Sequence, residues 1–360
     1  MSRRWIHWLA LFWTAWLSSG AVDAAVLRNL YDERLTVEEQ SAQSLRRGAG
    51  EALERVLIKV SGQRQVRGNP QIDQALSNAE PLLTQYRYLN KDNADGEAEL
   101  QLELSFSPRQ VNALLQSAGY PVWSNNRPSV LVWLVEDTIN GREFVSGDSP
   151  GALYDELLKQ ADRRGVALQF PLMDITDAAN LDVDDVWQMQ LAAVRAASAR
   201  YDAPYILVGR ASEFSSGRWV ASWTLVQRDD ETRLDSDGAT AEDMLTPIID
   251  SLADTQARSF GVVAGGDSES TLVYIDDIRD FHAYAGLVTY LENLAVVEHA
   301  NPVWVSDNAL VIELLLKGNM EMVERFLALD GQLKNLATRP ALQAEAAALP
   351  IRNYYRWQDK

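Results

Sequence analysis

Cysteine is absent from the 360 residues. That removes disulfides, zinc–thiolate sites, thiol nucleophiles and any lipidated N-terminal cysteine. Histidine is scarce as well, three residues in all, and beyond the first two dozen positions only His282 and His299 remain. Neither stands at a metal-ligand spacing such as H-E-x-x-H, so no metal is expected. Phosphate-binding loops are missing: Ala264-Gly265-Gly266 has neither the Lys-Ser/Thr pair nor a helix directly behind it, and no cofactor is expected. Positive charge is in deficit, with 33 Lys and Arg against 51 Asp and Glu, a formal net charge of −18. That balance argues against nucleic acid as a partner and against general adhesion to anionic lipid. Long apolar runs are missing after the N-terminus, so no membrane span is expected in the mature chain.

What is present begins with a leader. Arg3 and Arg4 precede the apolar stretch Trp5 to Leu17, and Val22 and Ala24 occupy the −3 and −1 positions of a cleavage site. Residues 1–24 read as a secretory signal peptide cut between Ala24 and Ala25. Its removal leaves 31 basic against 50 acidic side chains, a net charge of −19. With no cysteine to carry lipid, the expectation is a free periplasmic protein held by ordinary apolar cores.

Hydrophobic periodicity then divides the chain into an N-terminal region 25–124, a middle region 128–263, a C-terminal region 270–333 and a tail 334–360. In the first, Val26–Val37 reads as a strand. Glu39–Val60 reads as a helix with Leu45, Ala49, Ala52, Leu53, Val56 and Leu57 on one face. Pro70–Tyr88 reads as short helical pieces, Glu97–Phe106 as an alternating strand, and Ser107-Pro108-Arg109-Gln110 as a capping box. After Asn125-Asn126-Arg127-Pro128, the apolar Ser129–Val135 suits a strand covered on both sides. Helices are expected over Ser149–Arg164 and Val183–Arg200. An antiparallel meander follows over Tyr205–Glu213, Trp219–Arg228 and Thr232–Ser236, then a helix from Thr240 to about Phe260 containing Pro247. The polar, Gly-rich 264–270 is a linker. Beyond it the order is βαββα, and the tail reads as Ala-rich and then aromatic, a frayed helix. The fold class expected is α+β: three small domains with mainly antiparallel sheets.

Four groups of residues invite a chemical reading. Gly147-Asp148-Ser149-Pro150-Gly151 matches G-x-S-x-G, the turn that presents a hydrolase serine. The residue after that serine should lend a backbone N–H to an oxyanion, and Pro150 has none. Ser149 as an N-cap with Pro150 at the first helical position explains the stretch better. Asp174, Asp177, Asp182, Asp184 and Asp185 crowd one segment. They could bind calcium weakly or work as an acid–base pair, but helix-start positions account for Asp182, Asp184 and Asp185. Trp219, Trp223 and Leu225 share one strand face, as core residues or as a stacking platform for a ligand carried between domains. The histidines form the fourth group, without partners in sequence.

Val56-Leu57-Ile58-Lys59-Val60-Ser61-Gly62 is one landmark. Pro171-Leu172-Met173-Asp174, followed by the run from Ser198 to Arg210 (SARYDAPYILVGR), is another. Gly217-Arg218-Trp219 leading to Trp223 is a third. Together they resemble the exported domain-of-unknown-function family 2066 of Gram-negative bacteria over nearly all of the mature chain. No activity and no catalytic residue come with that resemblance. The middle region is distantly similar to the middle domain of flagellar assembly protein T and the N-terminal domain of the translocation protein TolB. It is also similar to periplasmic activators of penicillin-binding proteins. Those proteins act by contact with other envelope proteins, so the resemblance implies a non-enzymatic, contact-based role with envelope or periplasmic partners. A periplasmic hydrolase or a small-ligand-binding protein is the alternative.

Overall fold

The computed structural model describes residues 30–92, 98–123, 127–148, 150–228, 230–262, 269–306 and 308–358. The expected signal peptide, its cleavage site at Ala24 and Ala25, Ser149 and most of the Gly-rich linker lie outside these residues. The architecture is α+β, with several mostly antiparallel sheets.

The first sheet forms from β1 (Asp32–Thr36), β2 (Leu83–Asp92) and β3 (Ala98–Phe106) in the order β1-β3-β2, antiparallel throughout. Over it lies α1 (Ala42–Ser61). Ser41 caps the helix by accepting the N–H of Ser44 at 3.1 Å, and Gly62 ends it at φ 68°. The apolar face of α1 meets Leu102, Leu104 and Phe106 of β3 in one buried cluster. Two short helices, α2 (Pro70–Ser77) and α3 (Pro108–Ser117), complete this unit. The expected helical pieces through Tyr88 end at Leu82: α2 is followed by one 3₁₀ turn, Glu80–Leu82. Residues 83–88 are strand, because Tyr86 and Tyr88 pair with Leu104 and Leu102 on β3. The capping box at Ser107 forms by half. Its Oγ accepts the N–H of Gln110, but its own backbone N–H goes to the carbonyl of Leu82.

A two-residue strand, β4 (Val122–Trp123), leads into the central sheet. Its core strand β5 (Val130–Thr138) is buried on both sides. Val130, Val132 and Leu134 face one cluster, and Leu131, Trp133 and Val135 face another. A tight hairpin joins β5 to β6 (Gly141–Phe144), and α4 (Ala152–Arg164) follows. Helix α4 starts later than expected: Gly151, not Ser149, is the N-cap, so Pro150 lies before the helix. After β7 (Leu168–Gln169) comes a short helix that was not expected, α5 (Ile175–Asn180), and the expected single helix Val183–Arg200 is broken into α6 (Val183–Trp187) and α7 (Leu191–Ser198). Met189, at φ 54°, breaks the run between α6 and α7. The meander is β8 (Tyr205–Glu213), β9 (Trp219–Gln227) and β10 (Asp230–Gly238), giving the order β10-β9-β8-β5-β6, with β8 parallel to β5. Helix α8 (Ala241–Phe260), capped by Thr240 and containing Pro247, packs beside α4, and β11 (Gly261–Val262) returns to pair with β4.

The last sheet contains β12 (Ser270–Asp276), β13 (Val297–Val305) and β14 (Ala309–Leu316), with α9 (Phe281–Asn293) and α10 (Met320–Asp330) on one face. The tail is not a frayed helix. It supplies β15 (Leu333–Asn335), a single turn α11 (Ala344–Ala347) and β16 (Asn353–Trp357). Strand β16 inserts parallel to β12, with Tyr355 and Trp357 buried in the core. Aromatic residues at alternate positions suit a strand better than an exposed helix.

One polar cluster ties the first sheet unit to the central one. Lys59, near the end of α1, lies 2.6 Å from Glu33 on β1 and 2.9 Å from Asp162 on α4. Arg127, with no solvent exposure, donates to the carbonyls of Lys59 (2.8 Å), Trp123 (2.8 Å) and Gly165 (2.6 Å) and lies 3.5 Å above the Trp123 ring. Arg164, equally buried, donates to the carbonyl of Gly62 and pairs with Asp250 and Asp254 of α8.

Gly209 marks the tightest packing in the central sheet. A Cβ there would stand 2.3 Å from Cζ3 of Trp223, its cross-strand partner. Gly209→Ala should therefore lower unfolding free energy by about 1–3 kcal/mol in a urea titration. An unchanged midpoint would show that the Trp223 ring can move aside freely.

Candidate functional site

The sequence-derived candidates disperse into structural roles. Asp174 caps α5, accepting the N–H groups of Thr176 and Asp177, and takes both guanidinium nitrogens of Arg200 at 2.7 and 2.9 Å. The Arg200 hydrogen bond holds its carboxyl well below the usual range. Asp177 is buried, paired with Arg200 and hydrogen-bonded to the Tyr201 hydroxyl. Burial and that carboxylate push Tyr201 up to about 12. Asp182 and Asp185 form the capping box of α6, and Asp184 pairs with Arg142 at 2.9 Å. The structure thus brings Asp174 and Asp177 together around one arginine and places the other three on the next helix. Among the described residues no group of three Asp, Glu or His could hold a metal ion.

His282 is exposed in the first turn of α9, and His299 lies on β13, 3.0 Å from Glu292. The Trp stripe packs on the core, with Trp219 half-buried at its edge. Trp223 is buried and donates to Ser236 at 2.9 Å, while Ala221 and Leu225 join the same cluster. A cleft of about 590 Å³ opens at Gly62, Arg64, Pro121, Asp254, Arg258 and Gly261, and neither Trp219 nor Trp223 lines it.

A different feature emerges at the end of the central sheet where β5 and β8 terminate side by side. Two turns meet solvent there. In the β5–β6 turn, Thr138 donates its hydroxyl to the carbonyl of Gly141 and accepts the N–H of Asn140. Gly141 has φ 116°, a conformation that needs glycine. This turn leaves Ile139 fully exposed. The β8–β9 turn closes through hydrogen bonds between Phe214 and Arg218 and between Gly217 and Phe214, and it leaves Phe214 54% exposed. Ile175 and Phe281 are similarly exposed elsewhere on the surface; what sets Ile139 and Phe214 apart is that the parallel pairing of β5 and β8 brings their two turns to the same end of one sheet.

Acidic groups flank the two tips. Strand register sets Glu136 directly opposite Glu143, and Ala211 of β8 lies beside Glu136. Glu213, two residues past Ala211, shares that face by strand alternation. Like charges directly opposite on a sheet are unfavourable. Among the described residues, none of these three carboxylates has an ion pair. The nearby cations are engaged elsewhere: Arg142 with Asp184 and the face of Trp187, and Arg218 with Asp237. Helix α8 also starts at this end, because Gly238 pairs with Trp219 beside the β8–β9 turn; it adds Asp243, and Glu242, which pairs with Lys159 at 3.0 Å. Burial, then Glu213 and Glu143, raise the Glu136 carboxyl above its ordinary value.

The sequence marks Ile139-Asn140-Gly141-Arg142 as a hairpin turn and Ser215-Ser216-Gly217 as another, but it singles out neither the opposed glutamates nor the exposed tips. A signal existed: EDTINGREF centres an Asn-Gly turn between two glutamates, and a two-residue loop fixes them opposite one another. Phe214 carried no comparable mark.

The molecule is thus an α+β protein with mostly antiparallel sheets and an acidic, apolar-tipped end to its central sheet. Residues 24–124 match the family described as domain of unknown function DUF8605. That is not family 2066, which the sequence motifs resemble. No curated protein matches the chain. Among the described residues no helix is long and apolar enough to cross a membrane.

The sign of the Glu136 effect is testable. Its folded-state carboxyl binds a proton more tightly than in the unfolded chain, so ionising it destabilises the fold as pH rises through the raised value. Glu136→Gln should melt above the wild type at pH 7–8. The difference should vanish below the usual glutamate range of about 4. A variant that melts lower at neutral pH would refute the repulsion.

Proposed function

We propose that the protein is an exported periplasmic protein, released from its signal peptide between Ala24 and Ala25, that works without catalysis by contact with other envelope proteins. The single observation that supports this reading is the pair of exposed apolar turns, Ile139 and Phe214, at one end of the central sheet. Exposed apolar surface of this kind suits a binding patch that a partner covers. The distant resemblance of the middle region to flagellar assembly protein T and to TolB points the same way, because those envelope proteins act through contacts. A fold-level likeness is an analogy and adds direction without fixing a partner.

A photoreactive phenylalanine derivative placed at Phe214 or at Ile139 in the full chain, irradiated in intact cells, should give a discrete adduct with one envelope protein. The same group at exposed Glu38 on the first sheet unit should give none. Equal labelling at all three positions, or no adduct at Phe214, would remove the reading.

A further inference from the structure

The charge around the two exposed turns narrows the kind of surface they can receive. Glu136 and Glu143 face each other across one strand pair, and Glu213 shares their face without a cation beside any of the three among the described residues. Natural sheets normally avoid this arrangement, since directly opposed like charges weaken strand pairing. The residues that could relieve it are committed to Asp184 and Asp237. An arrangement unfavourable in the free protein becomes favourable when a cationic surface approaches, because repulsion is then replaced by attraction, at a half-buried Glu136 and at exposed Glu143 and Glu213. The exposed Ile139 and Phe214 require that the same surface be apolar between its charges.

We infer that this end of the central sheet docks a protein surface carrying Lys or Arg around an apolar centre. The inference rests on the contact-based reading and names its partner class. A second copy of this chain is disfavoured, because each copy carries a net charge of −18 and would present the same carboxylates. An anionic lipid surface is disfavoured for the same electrostatic reason. The remaining occupant is a partner protein of opposite local charge. Its association should be fast at low salt and should slow as salt screens the steering field.

The test uses the full mature chain and a 12-residue probe peptide of alternating Lys and Val, followed by titration calorimetry. Saturable binding at 50 mM salt is expected, weakening at least ten-fold by 300 mM. Glu136→Gln/Glu143→Gln/Glu213→Gln should weaken it at least five-fold, as should Phe214→Ser. The control Asp32→Asn/Glu38→Gln/Glu298→Gln removes the same charge elsewhere and should change it less than two-fold. A Glu/Val peptide should not bind. The triple glutamine variant should also melt higher than the wild type by about 1–3 °C, a gain that a merely structural role for these carboxylates would not produce.

Several outcomes overturn the inference. One is equal weakening by the control variant, which means only general charge. Others are binding unaffected by the triple variant, concentration-dependent dimerisation in sedimentation, and preferential binding to phosphatidylglycerol vesicles. If the Phe214 cross-link to a protein persists undiminished in the triple variant, the contact-based reading stands and the cationic partner does not. If no cross-link forms at all, both fall.

Discussion

Two guanidinium groups sealed from solvent hold the carboxyl end of α1, and the arrangement of the first two sheet units depends on them. The last carbonyls of a helix have no partner inside it. Here the carbonyl of Lys59 is met by Arg127 and the carbonyl of Gly62, just past the helix, by Arg164. Positive charge is also what the negative end of a helix dipole favours. Both arginines come from beyond residue 123, so the N-terminal helix is completed by side chains of the central unit. Asp250 and Asp254 of α8 balance Arg164 and bring Arg64 and Arg163 into the same network. Burying charge is expensive, and removing one partner of such a network typically costs about 3–5 kcal/mol because the other is left uncompensated. The cluster therefore fixes geometry more than it adds stability.

That fixed geometry matters for the opposite end of the central sheet. Strands β5 and β8 run parallel from the clamp region toward the two exposed turns. Both faces of β5 are packed, so the turns stand on a stiff base. Ile139 and Phe214 are thereby offered to solvent in a set relative position, with little entropy left to lose on contact. Arg64, Arg127, Arg163 and Arg164 gather at the clamp, while Glu136, Glu143 and Glu213, without an ion pair among the described residues, stand near the turns.

Much of the fold could be read from residue patterns. The face of α1, the twice-buried strand at Val130, the meander and the hairpin ending in Leu316 all rest on local periodicity, which the chain displays strongly. Failures arose where the deciding contact lies far away in sequence. Strand β16 is a strand because β12, about 80 residues earlier, offers it a parallel edge. The break at Met189 has no glycine or proline to announce it. Arg127 and Arg164 look like surface residues until the carbonyls they meet are known. The candidate site was equally hidden, since its meaning comes from strand register: Glu136 and Glu143 are unremarkable until a turn sets them face to face. The aspartates that do stand out in the sequence prove to be helix caps and partners of Arg200 and Arg142.

The clamp makes a definite demand on how the molecule unfolds. If buried arginines from one unit complete the helix of the other, heating should melt residues 30–123 and the central unit together. Differential scanning calorimetry of the full chain should show a single transition for these two units, and Arg164→Met should split it, with the N-terminal part melting first. Two separate transitions in the unmutated protein, left unmoved by Arg164→Met, would contradict the account.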